Sequence, residues 1–191
     1  MTKYRKKRRA LPVVIVCILL AAVIAAAGYF GYDRWERYTH PIKYEDLVGE
    51  YSRENGLDEF LVYAVIKTES GFDPNAVSNV GARGLMQIME DTFDWVKYRM
   101  GDEDTRYLEM YVPETNIRYG CWLLGYLYKE FGNVETAMAA YHAGRGQVNE
   151  WLADRSISAD GVHLDEIPIS DTAHYVRKIV RAMETYERLY S

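Results

Sequence analysis

A run of 21 residues without a charged side chain, Ala10–Phe30, divides this 191-residue chain into two parts of different kind. As a helix, a run of this length spans the roughly 30 Å hydrocarbon core of a bilayer. Six basic residues precede the run: Lys3, Arg5, Lys6, Lys7, Arg8 and Arg9. Because basic flanks stay on the cytoplasmic side, we expect a cytoplasmic tail at 1–9 and a single transmembrane helix at 10–30. The remaining residues are then extracellular or periplasmic.

A cleaved signal peptide has the same order of basic and then apolar residues, and the small residues Ala25–Gly28 fit its cleavage site. The length of the run favours an uncleaved anchor instead. So do the aromatic residues at its outer end, Tyr29, Phe30, Tyr32 and Trp35. A lipoprotein signal is disfavoured, because Cys17 lies in the middle of the run. The sequence therefore predicts a protein held in the cell membrane by residues 10–30.

The rest of the chain is acidic. The first 30 residues hold six of the 23 basic residues and none of the 28 acidic ones, which leaves 17 basic against 28 acidic residues and a net charge of −11. Such a domain is a poor partner for nucleic acid. Two cysteines, Cys17 and Cys121, supply no disulfide framework, and the helical spacing around Cys121 predicts a core position for it.

Beyond the run, apolar residues recur at helical spacing, and no segment shows the alternation typical of a strand. We expect a juxtamembrane connector at 31–42 and an all-α domain at 43–191. Seven helices are predicted, at 44–54, 58–70, 84–100, 114–131, 134–142, 145–153 and 171–190. In the fourth of these, Gly120 lies on the apolar face, where its small size indicates close helix packing.

An acidic residue continues the apolar face of the second predicted helix. Val65 and Ile66 belong to that face, and the next position in the same series is Glu69. A carboxyl group at the edge of an apolar face is desolvated, which raises its pKa and lets it hold a proton near neutral pH, as a general acid requires. The alternative is a structural glutamate paired with Arg83 or Arg177.

The residues after Glu69 form a small-residue loop followed by a polar residue in an apolar setting. Ser78–Gly84 contains two glycines, which let the backbone approach a ligand closely. Gln87 lies in the otherwise apolar segment Leu85–Met89. Its amide either bonds to the backbone of the loop or contacts a substrate, and the sequence leaves both interpretations open.

Glu69–Pro74 together with Ala76, Ser78 and Gly81–Met89 resembles the catalytic-domain signature of the soluble lytic transglycosylases (SLT), a family with a goose-type-lysozyme-like fold. Three further blocks resemble the later motifs of the family in the expected order. They are Asn116-Ile117 with Gly120 and Leu124, Ala139–Gly144 with Val148 and Trp151, and Tyr175-Val176 with Ile179. The resemblance covers about residues 43 to 185 and implies an all-α, lysozyme-like domain.

The same resemblance implies a peptidoglycan lytic transglycosylase with Glu69 as its one catalytic residue. In this family a glutamic acid protonates the glycosidic oxygen between N-acetylmuramic acid and N-acetylglucosamine. The resulting carboxylate deprotonates the muramoyl 6-hydroxyl, which closes a 1,6-anhydro ring. The family needs no cofactor and no metal. Its motifs place six substrate-binding residues in this chain: Ser78, Gln87, Met89, Tyr141, His142 and Tyr175.

Three positions depart from the family pattern. His142 stands where asparagine is usual, Glu90 where a proline commonly follows the motif, and Asp171 where a glutamate is common. An imidazole at position 142 adds a group that titrates near neutral pH. We expect it to alter substrate contact or the pH optimum and to leave the role of Glu69 unchanged.

Two other functions stay open for the same residues. A hydrolytic lysozyme (muramidase) would use water in place of the 6-hydroxyl, and a non-catalytic scaffold would only bind peptidoglycan in a membrane assembly. The intact Glu69 disfavours the scaffold, since a binding module has no need of a desolvated acid. We expect an enzyme of local cell-wall remodelling that acts on peptidoglycan glycan strands, alone or within a cell-envelope assembly.

Overall fold

The structure, a computed structural model, describes the backbone of residues 7–191 and the side chains from Val13 onward. Of the predicted basic tail at 1–9, residues 1–6 therefore lie outside the described residues. The chain forms two compact units, Met1–Pro41 and Ile42–Ser191.

The first unit contains one long helix, α1 (Lys7–Thr39). Its segment Val13–Thr39 is long and apolar enough to cross a membrane, a criterion that a signal sequence also meets. The large apolar side chains from Val13 to Ile24 are all exposed, which is typical of a helix that needs a nonpolar surrounding. The helix continues through most of the predicted connector and ends shortly before Pro41, because a proline cannot continue the helical hydrogen bonds.

The second unit contains seven α-helices and one short 3-10 helix among the described residues. They are α2 (Glu45–Asn55), α3 (Glu59–Ser70), α4 (Glu90–Met100), the 3-10 helix (Tyr107–Tyr111), α5 (Pro113–Phe131), α6 (Val134–Ala143), α7 (Arg145–Ala153) and α8 (Ser170–Tyr190). Six of the seven predicted helices lie within one residue of these bounds. The predicted all-α class is confirmed, and the 3-10 helix is an element that the sequence pattern does not predict.

The predicted helix at 84–100 is wrong over its first six residues, since α4 begins only at Glu90. The preceding residues complete a loop in which Arg83 and Ile88 exchange backbone hydrogen bonds of 3.0 and 3.1 Å. Gln87 turns the chain there with a positive φ of 49°, a conformation that a right-handed helix excludes. The apolar residues of this segment are buried although they lie in a turn. Their spacing therefore resembles that of a helix, but the backbone is not helical.

The core is built around α3, whose segment Leu61–Ile66 is entirely buried. This helix packs most extensively on α8, where the rings of Tyr63 and Tyr186 stack with centroids 5.5 Å apart. Helix α6 packs on both α5 and α8, and α2 packs on α3 and α5. Cys121 is fully buried on α5, which confirms its predicted core position. The packing fixes the C-terminal end of α3, where Glu69 lies.

The side chain of Asn116, in the first turn of α5, fixes the loop before α4. Its oxygen accepts the N–H of Met86 at 2.7 Å, and its nitrogen donates to the carbonyl oxygens of Arg83 at 3.0 Å and Met110 at 2.9 Å. Asn116 is fully buried, so these bonds satisfy backbone groups that would otherwise lack a partner in the interior. The loop and the 3-10 helix are thereby joined to α5.

Gly120 marks a close approach, although its neighbour is the loop residue Met86 and not another helix. A methyl group on Gly120 would collide with the Sδ, Cε and Cβ atoms of Met86. Both residues are buried, so the Met86 side chain has little room to move away.

We expect Gly120→Ala to destabilise the fold by about 1–3 kcal/mol, because overpacking displaces the Met86 side chain. Gly146→Ala on α7 is the matched control, since a methyl group there meets no atom within 4 Å and alanine favours a helix over glycine. Chemical unfolding of the full chain in detergent, followed by tryptophan fluorescence, measures both variants. Equal stability of the two would contradict the packing described for Gly120.

Candidate active site

Glu69 lies in the last turn of α3, with its side chain partly buried. The apolar face predicted for this helix is confirmed, because Val65 and Ile66, which precede Glu69 on it, are fully buried. The Tyr175 hydroxyl on α8 donates a hydrogen bond of 2.6 Å to the Oε1 atom of Glu69. The acid therefore lies where α3 and α8, the two most extensively packed helices, meet.

Burial is the largest influence on the Glu69 carboxyl group. Burial raises the pKa of Glu69, and the Tyr175 hydrogen bond and the Lys178 charge lower it. The effect of burial is the larger, so the resulting pKa is about 6. A carboxyl group with this pKa is present in both protonation states near neutral pH. It can donate a proton and, once ionised, accept one.

Neither arginine considered as a partner for Glu69 pairs with it. The Arg83 guanidinium lies over the Tyr107 ring, 4.1 Å from the ring centroid, and Arg177 is exposed on α8. Within the described part of the chain, no ion pair of 4.0 Å or less involves Glu69. The neutralising ion pair that would make Glu69 a structural residue is therefore missing from this region.

His142 and Tyr175 form an aromatic pair beside the acid. Their ring centroids are 4.5 Å apart, with 31° between the ring planes. The Nδ1 atom of His142 lies 3.1 Å from the Thr172 Oγ1 atom, a hydrogen bond that orients the imidazole. Burial lowers the pKa of His142, and the nearby Asp171 charge opposes this effect. His142 is thus connected to Glu69 through the Tyr175 ring.

Tyr141 is a second tyrosine next to the acid. Burial raises the pKa of Tyr141 well above its usual value, and the Glu69 charge raises it further. Its hydroxyl donates to the carbonyl oxygen of Met86 at 2.7 Å, so its proton is already engaged by the backbone. A hydrogen bond from Tyr141 to a substrate would require exchange of this bond, and in the structure the contact ties α6 to the loop.

Ser70 joins the end of α3 to the same loop. Its hydroxyl lies within hydrogen-bond distance of the Leu85 and Ile66 carbonyl oxygens, at 2.8 and 3.1 Å. It also accepts the N–H of Phe72 at 3.2 Å. Because Ser70 directly follows Glu69, these bonds set the position of the acid relative to the loop.

Two of the predicted substrate-binding residues lie in the loop and at its end. The Ser78 hydroxyl oxygen accepts the N–H groups of Val80 and Ala82, at 3.3 and 3.0 Å, which shapes the turn. Met89 is 38% exposed at the start of α4, where it is accessible to a ligand. The described hydrogen bonds join neither residue to Glu69.

The Gln87 amide bonds to the backbone of the loop, which is the first of the two interpretations left open by the sequence. Its nitrogen donates to the carbonyl oxygens of Ala76 at 3.1 Å and Gly84 at 2.9 Å. The amide oxygen is a separate acceptor, so a substrate contact through it is compatible with these bonds. The bonds hold the two sides of the loop together.

A groove of about 380 Å³ lies beside Tyr141, between α4, α5, α6 and the start of α7. Its lining residues are Asp91, Thr92, Trp95, Leu123, Leu127, Ala140, Tyr141, Gly144 and Arg145. Apolar walls with a few polar groups are typical of a binding site for an organic ligand. Glu69 does not line this groove, and Tyr141 is the residue that connects the two.

The sequence predicts no role for Thr172 and Lys178, although both act near the acid. Both lie on α8 three residues from Tyr175, so they share its side of the helix. Their spacing of three residues from Tyr175 is the sequence signal that could identify them.

The chain matches the family described as Transglycosylase SLT domain over residues 46–162, a range that includes Glu69 and ends before Tyr175. It is 37% identical over 151 residues to the soluble lytic murein transglycosylase of Salmonella typhimurium, covering 78% of this chain and 23% of that relative. It is 29% identical over 170 residues to the membrane-bound lytic murein transglycosylase C of Serratia proteamaculans, covering 76% of this chain and 47% of the relative.

Two solved structures are similar to this one. The 70 kDa soluble lytic transglycosylase of Escherichia coli matches with a TM-score of 0.71 and 29% identity, covering 80% of this chain and 25% of that chain. An inactive glutamate-to-glutamine mutant of the lytic transglycosylase Slt from Pseudomonas aeruginosa matches with a TM-score of 0.67 and 28% identity, covering 78% and 25%. The chain thus spans about a quarter of the length of these soluble relatives. The likeness confirms the predicted lysozyme-like helical fold.

We expect Tyr175→Phe to raise the pKa of Glu69 above about 6, because the variant removes the hydrogen bond that lowers this pKa and leaves the burial in place. The protonated acid then persists to higher pH, so the alkaline limb of a pH–activity profile moves upward. NMR titration of the Glu69 carboxyl carbon measures the pKa directly.

Tyr63→Phe is the matched control for this measurement. The Tyr63 hydroxyl is buried on the same helix as Glu69, and it has no hydrogen-bond partner among the described residues. We expect its removal to leave the Glu69 titration unchanged. An equal pKa shift in the two variants would show that Tyr175 acts only through packing.

Proposed function

This chain belongs to the Transglycosylase SLT domain family, and on that premise we propose that it is a lytic transglycosylase of peptidoglycan. It cleaves the bond between N-acetylmuramic acid and N-acetylglucosamine in the glycan strand. The observation that carries the proposal is the Glu69 carboxyl group, which has a pKa of about 6 and a hydrogen bond from Tyr175. The inactive glutamate-to-glutamine mutant of the Pseudomonas relative supports a glutamate as the essential group.

Glu69 carries out both proton transfers of this reaction. Its protonated carboxyl group first gives a proton to the glycosidic oxygen, the bond from the muramoyl C1 to that oxygen breaks, and N-acetylglucosamine leaves with the oxygen. The Glu69 carboxylate then takes the proton of the muramoyl 6-hydroxyl, whose oxygen bonds to C1 and closes the 1,6-anhydro ring. No water is consumed, and Glu69 ends the cycle protonated as it began it.

Tyr175 and Lys178 limit the cost of the ionised intermediate state. After the first transfer Glu69 is a carboxylate in a partly buried position, which burial disfavours. The short Tyr175 hydrogen bond and the positive charge of Lys178 both favour the ionised form. The acid is therefore strong enough to donate and the carboxylate basic enough to accept at the same pH.

A single acid is sufficient for this reaction. Most glycosidases use a second carboxylate as nucleophile or base. No other Asp or Glu among the described residues contributes to the pKa of Glu69. Asp73, the next acid along the chain, is exposed and accepts the N–H of Asn75 at 2.9 Å in a turn. The 2-acetamido carbonyl of the substrate would then stabilise the cationic sugar in place of a second carboxylate.

The remaining predicted site residues would bind the glycan around this bond. His142 and Tyr175 supply an aromatic wall beside the acid, and Tyr141 supplies the wall of the adjoining groove. The substrate would meet three further residues on the loop side: Ser78, Gln87 and Met89. Gln87 would contact it through the amide oxygen and Met89 through its exposed side chain. Ser78 would act through the turn that its hydroxyl shapes.

The N-terminal helix supports membrane attachment. The segment Val13–Thr39 of α1 is long enough to span a bilayer, and one relative is named as membrane-bound. We propose a single pass in which the basic N-terminal end stays in the cytoplasm and Ile42–Ser191 lies outside the membrane. An enzyme attached in this way acts on glycan near the membrane, which suits local wall remodelling, alone or within an envelope assembly.

We expect the full chain, purified in detergent, to release products ending in 1,6-anhydromuramic acid from isolated peptidoglycan. Glu69→Gln releases none, because an amide can neither give nor take the proton. Mass spectrometry identifies the product, since an anhydro end is lighter than a reducing end by one water molecule. Glu59→Gln, an exposed residue in the first turn of the same helix, is the matched control and keeps the activity.

Each other outcome of this experiment has a distinct meaning. Reducing ends from the unaltered chain would make the protein a lysozyme on the same scaffold. Turnover by a folded Glu69→Gln variant would overturn the assignment of the acid. If the unaltered chain released nothing, the peptidoglycan-binding scaffold would become the favoured function.

For the membrane proposal, we expect protease added to intact spheroplasts to digest Ile42–Ser191 while a short tag at the N-terminus stays protected. Lysis with detergent exposes both ends and serves as the control. Protection of the C-terminal unit until lysis would contradict the orientation. A mature chain that begins within Ala26–Tyr29 would show a cleaved signal sequence in place of the anchor.

A further inference from the structure

Three aromatic rings form a cluster on the surface of α4 and α5, outside the site around Glu69. The ring of Trp95 meets those of Trp122 and Tyr126 edge-on, with centroids 5.8 and 5.1 Å apart, and the rings of Trp122 and Tyr126 are nearly parallel at 5.6 Å. The Arg99 guanidinium lies over two of these rings, 5.8 Å from Trp95 and 5.3 Å from Tyr126. We call Trp95, Trp122 and Tyr126 the aromatic cluster.

The aromatic cluster is not part of the buried core. Trp95 is 36% exposed, and Trp122 and Tyr126 are partly exposed on the helix that buries Leu124 and Leu127. Large rings that remain accessible and contact one another at a surface are typical of a binding site. Because their mutual contacts and Arg99 already fix their orientation, little side-chain entropy is lost when a ligand binds.

The cluster is continuous with the groove beside Tyr141. Trp95 lines that groove, while Trp122 and Tyr126 line a second one of about 150 Å³. The second groove is completed by Gly125, which packs closely against Asn55 of α2, and by polar residues of α2 and α5. The aromatic cluster therefore lies between two adjoining depressions, one of which reaches the residue next to the acid.

We propose that the aromatic cluster is a distal binding surface for the glycan strand, which holds sugar units remote from the bond cleaved beside Glu69. The proposal rests on the proposed function in one respect only, namely that the ligand is a peptidoglycan strand. A strand continues on both sides of the reacting bond, so a surface continuous with the site meets further sugar units.

The chemistry of the surface fits a sugar polymer. An aromatic ring matches the apolar face of a pyranose, and the polar residues at the edge of the second groove, Glu54, Asn55 and Lys129, can bond hydroxyl and acetamido groups. Charges of both signs are interspersed here, with Arg99 and Lys129 beside Glu54 and Asp91. A surface for a polyanion or an acidic membrane would be predominantly basic instead.

Binding remote sugars improves capture of long strands without changing the reacting bond. A ligand contact far from the chemistry that is equal in the ground and transition states lowers KM and leaves kcat unchanged. We therefore expect loss of the cluster to weaken binding of long strands and to spare short fragments that cannot reach from Glu69 to Trp122.

The experiment measures binding by the full chain in detergent, in the Glu69→Gln background so that no strand is cut. The probes are purified uncrosslinked glycan strands and, separately, a single disaccharide muropeptide. We expect Trp122→Ala to weaken strand binding by about fivefold to tenfold, the effect of one lost aromatic contact, and to leave muropeptide binding unchanged. Trp95→Ala, at the most exposed ring, is the second variant should Trp122→Ala fail to fold.

Tyr98→Ala is the matched control, because Tyr98 lies on α4, is 83% exposed and does not belong to the cluster. It keeps full affinity for strands. Unchanged strand binding in both tryptophan variants would overturn the proposal and would leave the cluster as a surface for a protein partner. An equal loss for strands and muropeptides, or the same loss in Tyr98→Ala, would overturn it as well.

The outcome for this surface is separable from that of the proposed function. If the unaltered chain cleaves peptidoglycan but both tryptophan variants bind strands normally, the enzyme stands and the distal surface fails. If the unaltered chain cleaves nothing but binds strands through Trp122, the surface stands and the enzyme fails.

Discussion

The geometry of the site depends on one buried side chain, the amide of Asn116. It supplies partners to an N–H and a carbonyl group of the loop before α4 and to a carbonyl group of the 3-10 helix, at a depth where unpaired polar groups would be costly. With the loop held in place, the Leu85 carbonyl meets Ser70 next to the acid, and the Met86 carbonyl meets Tyr141. A hydrogen-bond network that begins on α5 thus sets the surroundings of a carboxyl group on α3.

The second constraint is the balance of opposing electrostatic effects on Glu69. With burial alone, the carboxyl group would hold its proton too firmly to donate it to a substrate. With full solvation, the group would already be ionised at neutral pH. The hydrogen bond from Tyr175 and the charge of Lys178 offset part of the burial, so both protonation states are accessible. The His142 ring lies against that of Tyr175, and burial lowers the pKa of His142, which disfavours a second positive charge beside the acid.

In the proposed function, three features of the chain divide the work of an enzyme on a large substrate. The acid and its tyrosines would supply the chemistry, the aromatic cluster would supply affinity for distant sugars, and the N-terminal helix would restrict the reaction to the membrane. Tyr141 links the first two, since it neighbours Glu69 and lines the groove that Trp95 also lines. The three features rely on different physical effects: desolvation, aromatic contact and the hydrophobic effect.

The sequence by itself determined the helical fold, the position of Glu69 at the end of an apolar helix face and the apolar N-terminal segment, because each of these is a local pattern. The periodicity around Val65 and Ile66 places Glu69 on a buried face whatever packs against it. Tertiary structure alone decided the loop at 84–89, where long-range bonds to Asn116 override a helical pattern, and the pairing of Glu69 with Tyr175 from the far end of the chain. It also decided which aromatic residues remain at the surface. Periodicity predicts which side of a helix is apolar, but only the packing of α4 against α5 determines that Trp95, Trp122 and Tyr126 meet and stay accessible.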